Sequence, residues 1–276
     1  MGRRVVIISS ILMILILLFV SAYFILSNGG SGSLGSDIPN KICRLSYDCN
    51  SLNSLSNVEK IKCDFKKVSN KPGGLVPSIR LQGELSDIWD QNKPTVRELV
   101  DEIICKNNPD EFRSYMASVL RNYAARTDKK WTKADLFAEE EVLLLFIKDK
   151  TQNGTLRGKV ISELSRTYYY LGFNEAESNN LFLTTVSLLD EGDEVAVYAV
   201  DALRSSNTIS LDKKVRTLKE FIIKKYNLKS SPMAYNSALY SLLASGDQDV
   251  IDLARELCGS GEITNQVICN NAKVKK

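Results

Sequence analysis

A chain of 276 residues with 44% hydrophobic and 25% charged residues and a net charge of +3 has the make-up of a folded protein, not of a disordered one. The near balance of charge supplies no basic stripe, so no nucleic-acid partner is expected. Histidine is absent, which removes every Ser–His–Asp or Cys–His arrangement along with the commonest general base and zinc ligand, and leaves any catalysis to carboxylates, Lys, Tyr or Cys.

Arg3 and Arg4 precede the uncharged run Val5–Leu26. As a helix this run spans about 33 Å, against roughly 30 Å of bilayer hydrocarbon, and only a helix satisfies its backbone groups there. The basic flank predicts a cytoplasmic tail over 1–4 and a single-pass transmembrane signal anchor over 5–26, with the bulk of the chain extracytoplasmic at the cell membrane. A cleaved signal peptide competes, because Val20-Ser21-Ala22 has the small residues a peptidase needs. The apolar run continues past that site through Leu26, which favours the anchor. Residues 27–37, Gly- and Ser-rich, read as a flexible linker.

Six cysteines, Cys43, Cys49, Cys63, Cys105, Cys258 and Cys269, form an even set, as disulfides in an exported domain require. Cys258 and Cys269 are close in sequence. A bridge between them pins the last helix to its predecessor and stabilises by about 2–3 kcal/mol. The other four allow three pairings, among which the sequence does not choose. Their spacing matches no short metal knuckle, so neither a metal nor a cofactor is expected.

The Cys-containing segment 38–76 shows no clear period. Lys60, Lys62, Lys66, Lys67 and Lys71 make it basic, as either a solvated face or a contact with anionic lipid or wall polymer. From 77 to 276 helix signals follow one another. Thr95 with Glu98 forms a capping box, and Asn108-Pro109-Asp110-Glu111 reads as N-cap, N1 and acidic first turn. Thr132 with Asp135, Asn174 with Glu177, and Ser231-Pro232 repeat the theme, while Gly154, Gly172, Gly192, Gly246 and Gly259 read as stops. Apolar stripes such as Val195, Ala196, Ala199, Val200 and Leu203 are too small to hold isolated helices and predict helices packed on one another.

The order of these stripes suggests repetition, with a period of 40 from Ala202-Leu203 to Leu242-Leu243 and of 35 from Val215 to Val250. Residues Asp193 to Leu203 resemble the second helix of a HEAT repeat, and Tyr170 to Glu177 looks like a tetratricopeptide turn. The resemblance implies an all-α fold of stacked helical hairpins, α-solenoid-like, of a kind that usually binds other proteins. An irregular helical bundle is the other packing these stripes permit.

Tyr168-Tyr169-Tyr170, with Tyr198 and Tyr235 in later hairpins, read as a candidate aromatic row able to grip a peptide or stack on sugars. Neighbours on a helix point about 100° apart, so packing between hairpins claims part of this set. Glu139-Glu140-Glu141 and Asp190-Glu191-Gly192-Asp193-Glu194 sit where helix dipoles favour acids, and no calcium-loop spacing is present. Asn153-Gly154-Thr155 is a glycosylation sequon, relevant where the host glycosylates exported chains.

The expected function is that of a membrane-anchored extracytoplasmic helical binding or scaffold protein, its partner another protein or a cell-surface polymer. The alternative is a tethered carboxylate-dependent glycan-cleaving enzyme. Lytic transglycosylase-like enzymes use one Glu, a role Glu163 would take, although the Gly-Leu-Met-Gln-type stretch that accompanies it there is missing.

Overall fold

The computed structural model describes residues 55–69, 94–126, 131–228, 232–244, 246, 248–261 and 263–274. The expected membrane span, the linker, Cys43 and Cys49 lie outside the described residues. The chain divides into Met1–Pro39 and Asn40–Lys276, and everything below belongs to the second unit. Among the described residues there is no strand, and no helix is long and apolar enough to cross a membrane.

The helices among the described residues are α1 (Asn57–Ser69), α2 (Val96–Ile104), α3 (Asp110–Ala125), α4 (Lys133–Phe137), α5 (Glu140–Lys148), α6 (Gly154–Leu171), α7 (Asn179–Leu188), α8 (Asp193–Ser205), α9 (Leu211–Leu228), α10 (Pro232–Leu243), α11 (Gln248–Gly259) and α12 (Gln266–Val274). They pair as hairpins: α2 with α3, α5 with α6, α7 with α8, α9 with α10 and α11 with α12. The second helices, α3, α6, α8 and α10, pack side by side as one row, while α2, α5 and α7 form a row behind.

A register explains that row. Phe112, Leu156, Val195 and Ala234 occupy equivalent buried positions. So do Met116, Val160, Ala199 and Ala238, and then Leu120, Leu164, Leu203 and Leu242. The offsets are 44, 39 and 39 residues. Leu203 therefore stands over Leu242, one residue from the match that gives a period of 40. Each hairpin leaves apolar surface that only its neighbour covers, which makes the fold helical and repeat-like.

Buried arginines tie the first repeats together. Arg113 and Arg157 are the fourth residues of α3 and α6, and both are buried. The Arg113 Nε donates to the carbonyl of Ile103 at 2.7 Å, and the Arg157 Nε donates to that of Ile147 at 2.6 Å. Each thereby satisfies a carbonyl at the end of the preceding helix that has no helical partner. Each then reaches into the next hairpin: Arg113 Nη2 to the Gln152 side chain at 2.9 Å, and Arg157 through both Nη atoms to Glu191 at 2.8 Å. Gln152 and Glu191 are themselves 39 residues apart. Burial lowers the pKa of Arg113, opposed by the Asp110 and Asp149 carboxylates.

Local signals place the helix ends. Thr95 with Glu98 and Thr132 with Asp135 are reciprocal capping boxes. The same device, Ser56 with Glu59, starts α1 inside the basic segment. Asn174 and Glu177 exchange the same pair of bonds, but they close a turn ahead of α7. Pro109, not Asn108, is the residue before α3, because the Asn108 amide donates instead to Glu102. Gly172 ends α6 at φ 78°, a left-handed conformation that suits glycine. Gly154 and Gly192 are not stops. Gly154 is the first residue of α6, and Gly192 is the cap that opens α8.

Disulfides sit toward the two ends of the stack. Cys258 and Cys269 are bridged, with Cα atoms 5.6 Å apart, and tie α11 to α12. Cys63 on α1 and Cys105 at the end of α2 are both disulfide-bonded and buried. Between Cys105 and Cys258 the chain contains no cysteine. The hairpin helices from α3 to α10 carry no cysteine and are held to one another by non-covalent contacts.

Arg157→Lys keeps the charge but cannot hold a carbonyl and a carboxylate fork together. It is expected to lower stability by about 2–4 kcal/mol, close to the loss from Arg157→Ala, when both are compared by urea unfolding.

Candidate binding face

The outward stripe of α6 runs through Lys159, Glu163, Arg166, Tyr169 and Tyr170, at helical spacings of three and four. On the same row α3 contributes Ser118 and Arg121, and α8 contributes Tyr198, Asp201 and Arg204.

A chain of ion pairs crosses these three helices. Glu163 Oε1 accepts from the Ser118 hydroxyl at 3.2 Å. Its Oε2 lies 3.1 Å from Arg121 Nε and 3.7 Å from Arg166 Nη1. The Arg121 contact is an ion pair without hydrogen-bond alignment, since both atoms are buried and neither has a directed bond. Arg166 Nη2 continues to Asp201 at 2.7 Å, where the Ser162 hydroxyl donates at 2.6 Å and Arg204 at 2.7 Å. Burial works against the Asp201 carboxylate. The Ser162 and Arg204 hydrogen bonds and the charges of Arg166 and Arg204 outweigh it and hold its pKa below the usual range.

The five tyrosines of the candidate row do not share a face. Tyr168 is buried without exposure, and its ring stacks on Phe173 with centroids 4.1 Å apart. Burial, then the adjacent Glu140 carboxylate, push its phenol pKa well up. Tyr169 and Tyr170 are 46% and 40% exposed, with ring centroids 5.3 Å apart. Tyr198 is half-buried because its ring lies on Gly158 of α6, where a Cβ would meet Tyr198 Cδ2 at 2.6 Å. Burial, then Asp201, raise the Tyr198 phenol pKa. Tyr235 is buried, at the register position that Arg113 and Arg157 hold in earlier repeats. Tyr168, Tyr198 and Tyr235 therefore stand at three different heights of their helices and form no row. The sequence reading missed Tyr240 on α10, 44% exposed and at the height of Ser162 and Asp201. The 39-residue register is the signal that finds it.

The other candidate residues have structural partners. Of the acidic loop, Asp190 pairs with Lys224, Glu191 with Arg157, and Asp193 accepts from the backbone N–H groups of Met233 and Ala234 at the start of α10. The Asn153 side-chain oxygen accepts from Leu156 N at 3.1 Å and caps α6, so the sequon lies at a helix start. Lys62 of the basic stretch is buried in a salt bridge with Glu102 and lies 5.6 Å from the Phe112 ring centroid. Lys67 and Lys71 have no described side chains. Among the described residues, no three His, Cys, Asp or Glu side chains are placed to hold a metal ion.

No family model, curated protein or solved structure matches this chain.

The Asp201 carboxylate contributes stability that is fully present above its unfolded pKa of about 3.9 and is lost as pH falls through its lower folded value. Asp201→Asn removes that contribution. Acid titration by circular dichroism is expected to show a shallower loss of stability below about pH 4 in the variant than in the parent chain.

Proposed function

We propose that this chain is a membrane-anchored, extracytoplasmic binding module of α-solenoid type, which engages a protein or cell-surface polymer through the outward face of α3, α6, α8 and α10. The observation that supports this most is the repeat register. The apolar positions point inward to neighbouring hairpins, so the outward stripe, with exposed Tyr169, Tyr170 and Tyr240, is not needed for the core. The disulfides at both ends suit an oxidising compartment, and the uncharged run Val5–Leu26 behind Arg3 and Arg4 suits an anchor.

The glycan-cleaving alternative asks Glu163 to donate a proton. The Glu163 carboxylate instead lies within the chain of contacts that joins α3, α6 and α8, through Ser118, Arg121 and Arg166, which gives it a structural role there.

A photo-crosslinking side chain in place of Tyr169, Tyr170 or Tyr240, in the full chain in its native cell, is expected to trap a defined adduct. The same group in place of exposed Phe137 on α4 or Leu183 on α7 is expected to trap none. Equal trapping from both faces counts against the proposed face, and turnover of a glycan abolished by Glu163→Gln replaces the binding reading with the enzymatic one. A reporter fused after Lys276 is expected to be active only outside the cytoplasm, and cytoplasmic activity contradicts the placement.

A further inference from the structure

The described cysteines differ in access. Cys63 and Cys105 are 0% and 1% exposed, whereas Cys258 and Cys269 are both half-buried. A thiolate must reach a sulfur in line with the S–S bond; both ends of the Cys258–Cys269 bridge are partly open to one, whereas Cys63 and Cys105 are shielded at their own sulfurs.

What the accessible bridge holds is slight. The nine residues of α12 are too few for a stable isolated helix. Among its described side chains only Ile268 and Ala272 are buried, while Val267 is 56% exposed. Asn265 caps the helix, accepting from Val267 N at 3.0 Å and Ile268 N at 3.3 Å. Beyond these contacts, the Arg255 Nε on α11 donates to the Ala272 carbonyl at 2.8 Å. With the bridge intact, α12 closes the end of the stack by packing on α10 and α11.

We propose that Cys258–Cys269 is a reducible latch: a dithiol reductant opens it, α12 undocks, and the end of the stack formed by α10 and α11 is uncovered while the hairpins before it stay folded. One thiolate of the reductant attacks a sulfur of the bridge, forming a mixed disulfide and releasing one cysteine thiolate. The second reductant thiol displaces the other, leaving the reductant as its own disulfide and Cys258 and Cys269 as two thiols. The electrons come from the dithiol, and its two protons end on the cysteines. The interior hairpins keep their contacts, because the arginine links of Arg113 and Arg157 contain no sulfur. The latch is independent of what the outward face binds.

The test uses the full chain in detergent micelles with graded dithiothreitol, followed by quenching, alkylation and mass mapping. Hydrogen exchange is followed in parallel over residues 263–274. Cys258 and Cys269 are expected to be alkylated at a reductant concentration at least about tenfold below that needed for Cys63 and Cys105. At that point exchange at Ile268 and Ala272 is expected to accelerate about a hundredfold, the ratio chain entropy gives for opening a loop of sequence separation 11. Protection in α3, α6 and α8 is expected to be unchanged. The double variant Cys258→Ser, Cys269→Ser is expected to reproduce the open exchange pattern without reductant. Reduction of all cysteines together, an unchanged α12 after its bridge is cut, or loss of protection throughout the variant would each overturn the latch.

Discussion

The structure depends on a guanidinium that serves two hairpins at once. Arg157 donates one bond to the carbonyl of Ile147 within its own hairpin and two to Glu191 in the next, and Arg113 donates one to the carbonyl of Ile103, one to Asp110 and one to Gln152 in the next hairpin. A buried arginine is costly unless every donor is used, so its presence fixes the distance and register between successive hairpins. Leucines alone tolerate a slip of one position. The carbonyl and fork geometry does not, and it converts a set of amphipathic helices into a stack with one alignment.

The consequences run outward from that register. Because Leu120, Leu164, Leu203 and Leu242 fall in line, the opposite stripe of each second helix also falls in line. Ser118, Glu163, Arg166, Asp201 and Arg204 then meet across three helices that are far apart in sequence. That chain of charges rigidifies the row on which the exposed tyrosines stand. From α8 onward the arginine position holds Ala196 and then Tyr235, so the later hairpins rely on apolar packing, the Asp193 cap on α10 and the terminal disulfide. The stack therefore changes its means of cohesion along its length, with the buried arginine links toward the N-terminal side and disulfides toward both ends.

Much of this was legible in the sequence where physics acts locally. The capping boxes of Thr95 and Thr132, the helical stripe of Val195 to Leu203, and the pairing of Cys258 with Cys269 each depend on residues a few positions apart. What was not legible depends on partners in other hairpins. Glu191 reads as a dipole-favoured acid and Arg157 carries no local signal until the fold brings them to 2.8 Å. Tyr168 and Tyr169 are neighbours of one kind, yet a rotation of about 100° buries the first and exposes the second. Gly154 and Gly192 read as stops because glycine tolerates both ends of a helix, and only the cap geometry tells which end it occupies. The period was misjudged by one residue, since adjacent leucines at 242 and 243 both match Leu203 by type and both are buried, so that only their spacing from Ala234 and Ala238 separates them.

The claim that arginine couples one hairpin to the next is tested most directly by a double-mutant cycle on Arg157→Ala and Glu191→Ala, read by urea unfolding of the whole domain. The account predicts that the two changes are strongly non-additive, with a coupling of about 1.5–3 kcal/mol, because each single change leaves a buried charge or carboxylate without its partner. Effects that add to within about 0.5 kcal/mol would contradict it and show that the hairpins are held by their apolar faces alone.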